Sequence, residues 1–268
     1  MDLPRSNSAR SLSVLTYNVH SCRGTDGKVD PARIARVIAH CGADIIALQE
    51  VDVGRARTHG IDQAHVIASQ LRMEVHFHPA LHLADEKYGD AILTALPSRL
   101  IKAGPLPSVG EPRGAIWVSV DVGGTELQVV NTHLGLRRRE RMNQIVALLG
   151  PGWLGNPMCR SSPFVLLGDF NARPSSVVYR TITRLATDVH LGAKTRPRAT
   201  FPSRYPLFRI DHIFVGNGVV PIEAEVQSDG LIRTASDHLP LTARISVPAR
   251  SLREAGAVAP AGGHALMK

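Results

Sequence analysis

The chain has 268 residues, 44% hydrophobic and 20% charged, which suits one large globular domain rather than several small ones. With 31 Lys and Arg against 23 Asp and Glu, the net charge of +8 favours anionic partners such as phosphate esters, anionic lipid or nucleic acid. No stretch approaches the ~18 consecutive apolar residues of a membrane span, and no internal repeat is visible. Cys22, Cys41 and Cys159 are odd in number and lack metal-type spacing, so a reducing cytoplasm is the expected compartment.

Residues 1–10 carry positive charge with no apolar run behind them long enough for a secretory signal, and are expected to be flexible. A globular domain is expected over 11–248. Residues 12–19 read as a buried strand ending at Asn18. A glycine-containing loop leads to Asp30, which caps a helix with Pro31 at its first position and Ile34, Val37 and Ile38 on its apolar face. Gly42 stops that helix. A second apolar strand from Asp44 finishes on Gln49-Glu50-Val51-Asp52, so two consecutive strand ends present polar groups at one sheet edge.

A helix is expected over 62–72 with Val66, Ile67 and Leu71 inward, followed by strands near 74–78, 89–95 and 100–106. A hairpin turns at Gly123-Gly124, and its second strand ends in Asn131-Thr132-His133. Next comes a helix opened by Arg137, Arg138, Arg139 and Arg141, with Met142, Ile145, Val146 and Leu149 as its core face. An irregular loop over 151–162 precedes the apolar run 163–167. That run breaks at Gly168 and continues into Asp169 and Asn171, which a period of two puts on one side. Ser175 caps a short helix, a loop spans 199–206, and strand 209–215 carries Asp211 and His212 on opposite faces. Strands near 219–227 and 239–247 flank Ser236-Asp237-His238. The Ala, Gly and Pro-rich residues 249–268 are expected to be a disordered tail.

Polar groups thus gather at the ends of many strands, which suggests two sheets covered by helices with a site along one edge. The phrases Thr16-Tyr17-Asn18, Leu48-Gln49-Glu50, Asn131-Thr132-His133, Gly168-Asp169-Phe170-Asn171, Arg209-Ile210-Asp211 and Ser236-Asp237-His238 occur in an order that resembles the motifs of the endonuclease/exonuclease/phosphatase superfamily. The resemblance covers residues 12–247. It implies a deoxyribonuclease I-like four-layer α/β sandwich, two mixed β-sheets flanked by helices, and Mg²⁺-dependent (or Mn²⁺-dependent) hydrolysis of phosphate esters.

Carried onto this chain, the resemblance makes Glu50 the leading metal ligand, with Asn18 and Asp237 near the ion directly or through water. This donor set suits hard Mg²⁺, which takes few carboxylates plus waters and substrate phosphate. Asp169 would orient or deprotonate the attacking water and Asn171 hold it in line. Asp211 would fix the His238 imidazole and favour its cation, leaving His238 as either the base or a cation on the phosphate. His133 would contact the phosphate or protonate the leaving group. Arg138, Arg139 and His20 are the remaining candidates for phosphate contact, although the arginine run also reads as a solvated helix face. His212 is expected to be structural.

Local phrases such as Thr132-His133-Leu134-Gly135 and Thr200-Phe201-Pro202-Ser203 resemble a bacterial sphingomyelinase-like branch, some of it associated with cardiolipin synthesis. That implies a phospholipid or small phosphodiester as substrate. Asp90 stands where this branch commonly has Asn. Only 4% of the chain is aromatic, which makes stacking platforms for single strands sparse. A Mg²⁺-dependent endo- or exonuclease and a catalytically inactive binding scaffold are the alternatives. The expected state is a monomer in peripheral contact with anionic lipid or nucleic acid.

Overall fold

The computed structural model describes residues 9–249, so the expected tail and most of the expected flexible N-terminus lie outside the described residues. The strands are β1 (Arg10–Asn18), β2 (Ile45–Val53), β3 (Glu74–Leu83), β4 (Glu86–Thr94), β5 (Ser98–Leu106), β6 (Arg113–Asp121), β7 (Glu126–His133), β8 (Phe164–Asp169), β9 (Thr187–Asp188), β10 (Asp211–Gly216), β11 (Val220–Val226) and β12 (Leu241–Val247). The helices are α1 (Pro31–Cys41), α2 (Gln63–Leu71), α3 (Arg138–Leu149), α4 (Pro157–Ser161), α5 (Val177–Ile182), α6 (Val189–Gly192) and α7 (Gly230–Ala235).

They form two mixed six-stranded sheets, ordered β11-β12-β1-β2-β4-β3 and β5-β6-β7-β8-β10-β9. The inner faces meet in one core. Alternation along β8 sends Val165 and Leu167 into that core, and Phe164 and Leu166 outward to a second apolar layer with Ile145 and Leu148 of α3 and Tyr179 of α5. Trp117 and Val130 join that outer layer, while Ile116, Val118 and Val129 face inward. Ile34, Val37 and Ile38 of α1 and Ile67 of α2 cover the other sheet. The result is the expected four-layer α/β sandwich.

A polar strut crosses the inner core. Gln49 Nε2 donates to Asn131 Oδ1 at 2.8 Å, and Asn131 Nδ2 donates to the carbonyls of Leu48 and Ala91, both at 2.9 Å. Both side chains are fully buried, and this bonding satisfies amides that would otherwise be costly there.

Several elements differ from their sequence-based expectation. Val146 of α3 is exposed at 64%, and the buried stripe is Gln144, Ile145 and Leu148, because the first turn docks through Glu140 rather than Met142. On α2 the buried positions are Ala64, Ile67 and Ala68, with Val66 and Leu71 only half covered. The loop 151–162 contains α4, and α7 precedes Ser236 where no helix is expected. Ser176, not Ser175, caps α5, accepting from Tyr179 N. The central strand does not break at Gly168. It runs on to Asp169 through a backbone at φ +146°, and a Cβ there would lie 1.9 Å from Thr132 O on β7. Glycine is needed for that close approach.

Candidate active site

Register brings the chemistry together. His133 pairs with Asp169 across β7 and β8, and Asp169 pairs with Asp211 across β8 and β10, so three functional side chains form a row at the end of the second sheet. Past Asp169 the chain turns: Asn171 N donates to Asp169 Oδ1 at 2.9 Å, with Asn171 at φ +47°, a conformation Asn tolerates. Thus Asn171 faces the cleft through a side-chain-capped turn, not by strand alternation. Its Nδ2 donates to Leu134 O at 2.9 Å and lies 3.2 Å from His133 Nε2.

The first sheet supplies the opposing wall. Between Leu48 and Val51 the pairing of β2 with β4 shifts, so Gln49 and Glu50 oppose Asp90 alone. Glu50 sits in this bulge at φ +59°, which turns its carboxylate into the cleft. Asn18, at the end of β1, donates from Nδ2 both to Glu50 Oε1 (3.0 Å) and to Asp169 Oδ2 (3.1 Å), tying the sheets together at the site. Ser236 Oγ donates to Asn18 O at 2.8 Å and sets the loop that carries Asp237 and His238. His238 Nδ1 lies 2.9 Å from Asp211 Oδ2, and its Nε2 is 3.8 Å from Asp169 Oδ2. The His238 ring rests against Phe201 at 4.8 Å between centroids.

The surroundings of the two histidines shift them in opposite directions. Burial disfavours an imidazolium at His238, but the carboxylates of Asp211 and Asp169 outweigh it and raise its pKa well above the ordinary value. At His133 burial and the positive charges of Arg113 and His238 act together and push the pKa well below the ordinary value. Arg113 Nη1 donates to His133 Nδ1 at 2.9 Å, which leaves the single ring proton on Nε2, facing Asp169 Oδ2 at 3.4 Å. Asp169 itself is raised by burial first and by the Asp211 charge second. Asp90, buried behind Glu50, is pushed to about 8 by burial against the opposing pull of Arg113. It therefore keeps its proton at pH values where an ordinary aspartate has lost it.

These residues surround a cleft of about 320 Å³, lined among others by Glu50, His133, Asp169, Asn171, Asp237 and His238. His20 also lines it, its ring 3.8 Å from Asp237 Oδ1. Arg138 and Arg139 do not. They are exposed at the start of α3, and Arg138 borders a neighbouring hollow with Arg141, Ser176 and Arg180. The cations of the cleft are instead Arg23, Arg57 and Arg113. Arg57 grips the buried Asp52 through two bonds of 2.7 and 2.8 Å and lies over the Tyr88 ring, so Asp52 is a support for the wall. No spacing in the sequence marks these arginines; only the strand-end positions of Asp52 and Arg113 hint at them. His212 faces away, donating from Nε2 to Ala172 O (2.8 Å) among Phe170, Tyr179 and Phe214.

The donor set fits a hard divalent cation. Glu50 and Asp237 both offer carboxylate oxygens to the cleft, and no Cys lines it. Asn18, as oriented, turns its NH₂ toward Glu50 while Oδ1 accepts from His20 N, so ligation through its carbonyl requires the amide to rotate. Asp169, Asp211 and His238 also place ligand atoms within 4.8 Å of one another, but there the imidazolium already occupies the space between the carboxylates.

Fold and site together define a phosphoester hydrolase. A profile of the Endonuclease/Exonuclease/phosphatase family matches residues 15–238, and the chain belongs to that family, whose members are generally dependent on a divalent metal. It is 26% identical to the uncharacterized protein YbhP of Escherichia coli K12 over 259 residues, covering 91% of this chain and 99% of that one. Among solved structures, an endonuclease/exonuclease/phosphatase from Beutenbergia cavernae superposes with a TM-score of 0.71 at 23% identity, covering 89% of this chain and 72% of the other. The mannosyl-6-phosphatase Bt3783 of Bacteroides thetaiotaomicron does so with a TM-score of 0.70 at 21% identity, covering 87% and 99%.

Proposed function

We propose that the chain is a Mg²⁺-dependent phosphodiesterase acting on a phospholipid headgroup or another small diester. The observation that carries this reading is the cleft itself: Glu50 and Asp237 line it together with His133, Asp169 and His238, and Asp211 backs His238 from behind. Glu50 and Asp237 would hold the cation, with Asn18 after rotation of its amide. When bound, it withdraws charge from a phosphoryl oxygen and helps to orient the ester.

The remaining work falls to side chains. Asp169 has its Oδ1 held by Asn171 N and its Oδ2 by Asn18, leaving it fixed as the acceptor of a proton from the attacking water. Its raised pKa suits a base working near neutrality. His238, held protonated by Asp211, is a poor base and a good donor, so Nε2–H is assigned to a phosphoryl oxygen. His133, held neutral, donates a hydrogen bond from Nε2–H, fixed there by Arg113, to the leaving oxygen and steadies its developing charge, and that oxygen takes its proton from solvent. The sparse aromatic lining, Tyr88 and Phe201, supports a small diester over a single-stranded nucleic acid.

The test is hydrolysis of bis(p-nitrophenyl) phosphate, phospholipid vesicles and plasmid DNA with Mg²⁺, with EDTA and after Mg²⁺ is restored. Diester and phospholipid turnover that disappears with EDTA is expected. Full activity without metal, or efficient cleavage of DNA with none of phospholipid, would overturn the proposal.

A further inference from the structure

Four large apolar side chains among the described residues are exposed by 70% or more: Val109 (70%), Leu136 (71%), Leu207 (72%) and Tyr205 (79%). All four stand on loops that also contribute residues to the cleft. Leu136 follows His133 and itself lines the cleft. Val109 belongs to the loop joining β5 to β6, whose Glu111 and Arg113 are cleft residues. Tyr205 and Leu207 form the tip of a loop based on the cleft residue Phe201, closed by Leu207 N donating to Phe201 O at 2.9 Å. The loop bearing Val109 is held out deliberately: buried Glu140 of α3 accepts from Val109 N (2.9 Å) and Gly110 N (3.3 Å).

Arginines neighbour these tips in the chain. Arg137, Arg138 and Arg139 adjoin Leu136, Arg204 adjoins Tyr205, and Arg173 stacks on Phe208 at 3.9 Å. None of them joins the arginine ion pairs found among the described residues. The nearby acids are engaged, Glu111 by Arg113 and Glu140 by the loop amides.

We propose that this edge is a docking surface for an anionic phospholipid bilayer, set so that the cleft mouth meets headgroup phosphates. Aliphatic tips on three separate loops gain nothing from a polyanion in water, but they gain on entering the acyl boundary, while unpaired arginines beside them meet anionic headgroups. The surface deepens the phospholipid reading given above and rests on it only for what the docked enzyme does next.

The test is co-sedimentation of the metal-free protein with vesicles of phosphatidylcholine alone or mixed with phosphatidylglycerol. Binding to the anionic vesicles is expected to be stronger by about tenfold or more and to weaken with salt. Tyr205→Ser/Leu207→Ser is expected to weaken it about tenfold while leaving hydrolysis of soluble bis(p-nitrophenyl) phosphate unchanged. Absent binding, equal binding to neutral and anionic vesicles, or undiminished binding by the double variant would overturn the proposal. So would tighter binding to duplex DNA that the variant leaves intact, which would assign the edge to nucleic acid. Vesicles bound but not hydrolysed would uphold the docking surface and remove phospholipid as the substrate. Soluble diester hydrolysed without vesicle binding would overturn the docking surface and leave the diesterase reading standing.

Discussion

Arg113 Nη1 lies 2.9 Å from His133 Nδ1, so a group that never gives up its proton faces the ring nitrogen that would otherwise carry one. The same guanidinium nitrogen bonds Glu111 at 2.9 Å. Arg113 therefore selects the Nε2–H form of a neutral imidazole and fixes the plane of the ring.

Replacing Arg113 by Met should release that choice. Turnover of bis(p-nitrophenyl) phosphate is expected to fall about 10²-fold, the scale of losing one positioned hydrogen-bond donor to developing charge. Arg113→Lys should recover only part of it, because an ammonium does not reproduce the planar fork. Equal kcat in wild type and Arg113→Met, measured on folded protein, would show that the contact has no role in turnover.

Asp169→Asn should lower kcat by about 10²-fold or more, as expected for loss of a general base. Its effect on stability should run the other way. The carboxylate is buried beside Asp211 and its raised pKa marks the charged form as unfavourable in the folded state, so the variant should melt at or above the wild-type temperature. Calorimetry alongside kinetics separates the two effects.

The two histidines that neighbour an aspartate in sequence should part company. His238→Ala should abolish turnover and also lower stability near neutral pH, because Asp169 and Asp211 lose the cation between them. His212→Ala should keep kcat per folded molecule while costing about 2 kcal/mol, from a lost bond to Ala172 O and a cavity among aromatic rings. An inactive but fully stable His212→Ala would refute its structural assignment.

Asp90→Asn gives a pH signature. In the unfolded chain the carboxyl ionises near its ordinary value of roughly 3.9, but in the folded protein only at about 8. Between these values the unfolded state has released a proton that the folded state retains, so this group makes stability fall as pH rises. The difference in unfolding free energy between Asp90→Asn and wild type, both metal-free, should therefore grow in favour of the variant from about pH 4 to pH 8. A constant difference across that range would mean that Asp90 is ionised when folded.

Much of this was legible in the sequence for physical reasons. Strands with apolar runs on both faces, such as 163–167, and capped helices such as that starting at Asp30 follow from local rules, and strand ends with polar groups mark an edge where a site can form. The sandwich agrees with that reading, and the structure places Glu50, His133, Asp169, Asn171, Asp237 and His238 around one cleft with Asp211 beside Asp169. What stayed hidden depends on neighbours distant in the chain. The bulge that turns Glu50 inward exists only because β2 pairs with β4 around Asp90, and the partnership of Arg113 with His133 needs β6 laid beside β7. The stripe on α3 was misplaced because Glu140, a charged residue, is its buried anchor.

The strut between Gln49 and Asn131 has a consequence for how such a protein varies. Its three amide bonds pin one sheet against the other a few residues from the cleft, and Asn18, Glu50, His133, Asp169 and Asp211 all stand at or near strand ends of the sheets so pinned. The loops beyond those ends carry none of that burden. Reaction and recognition are therefore separable modules: the edge loops can be lengthened, swapped or re-coloured with charge while the hydrolytic frame is inherited intact. A chimera that exchanges only the tip residues 204–206, and keeps buried Ser203 with its bonds to Ser236 O and Asp237 O, should change what the enzyme approaches without changing how it cuts.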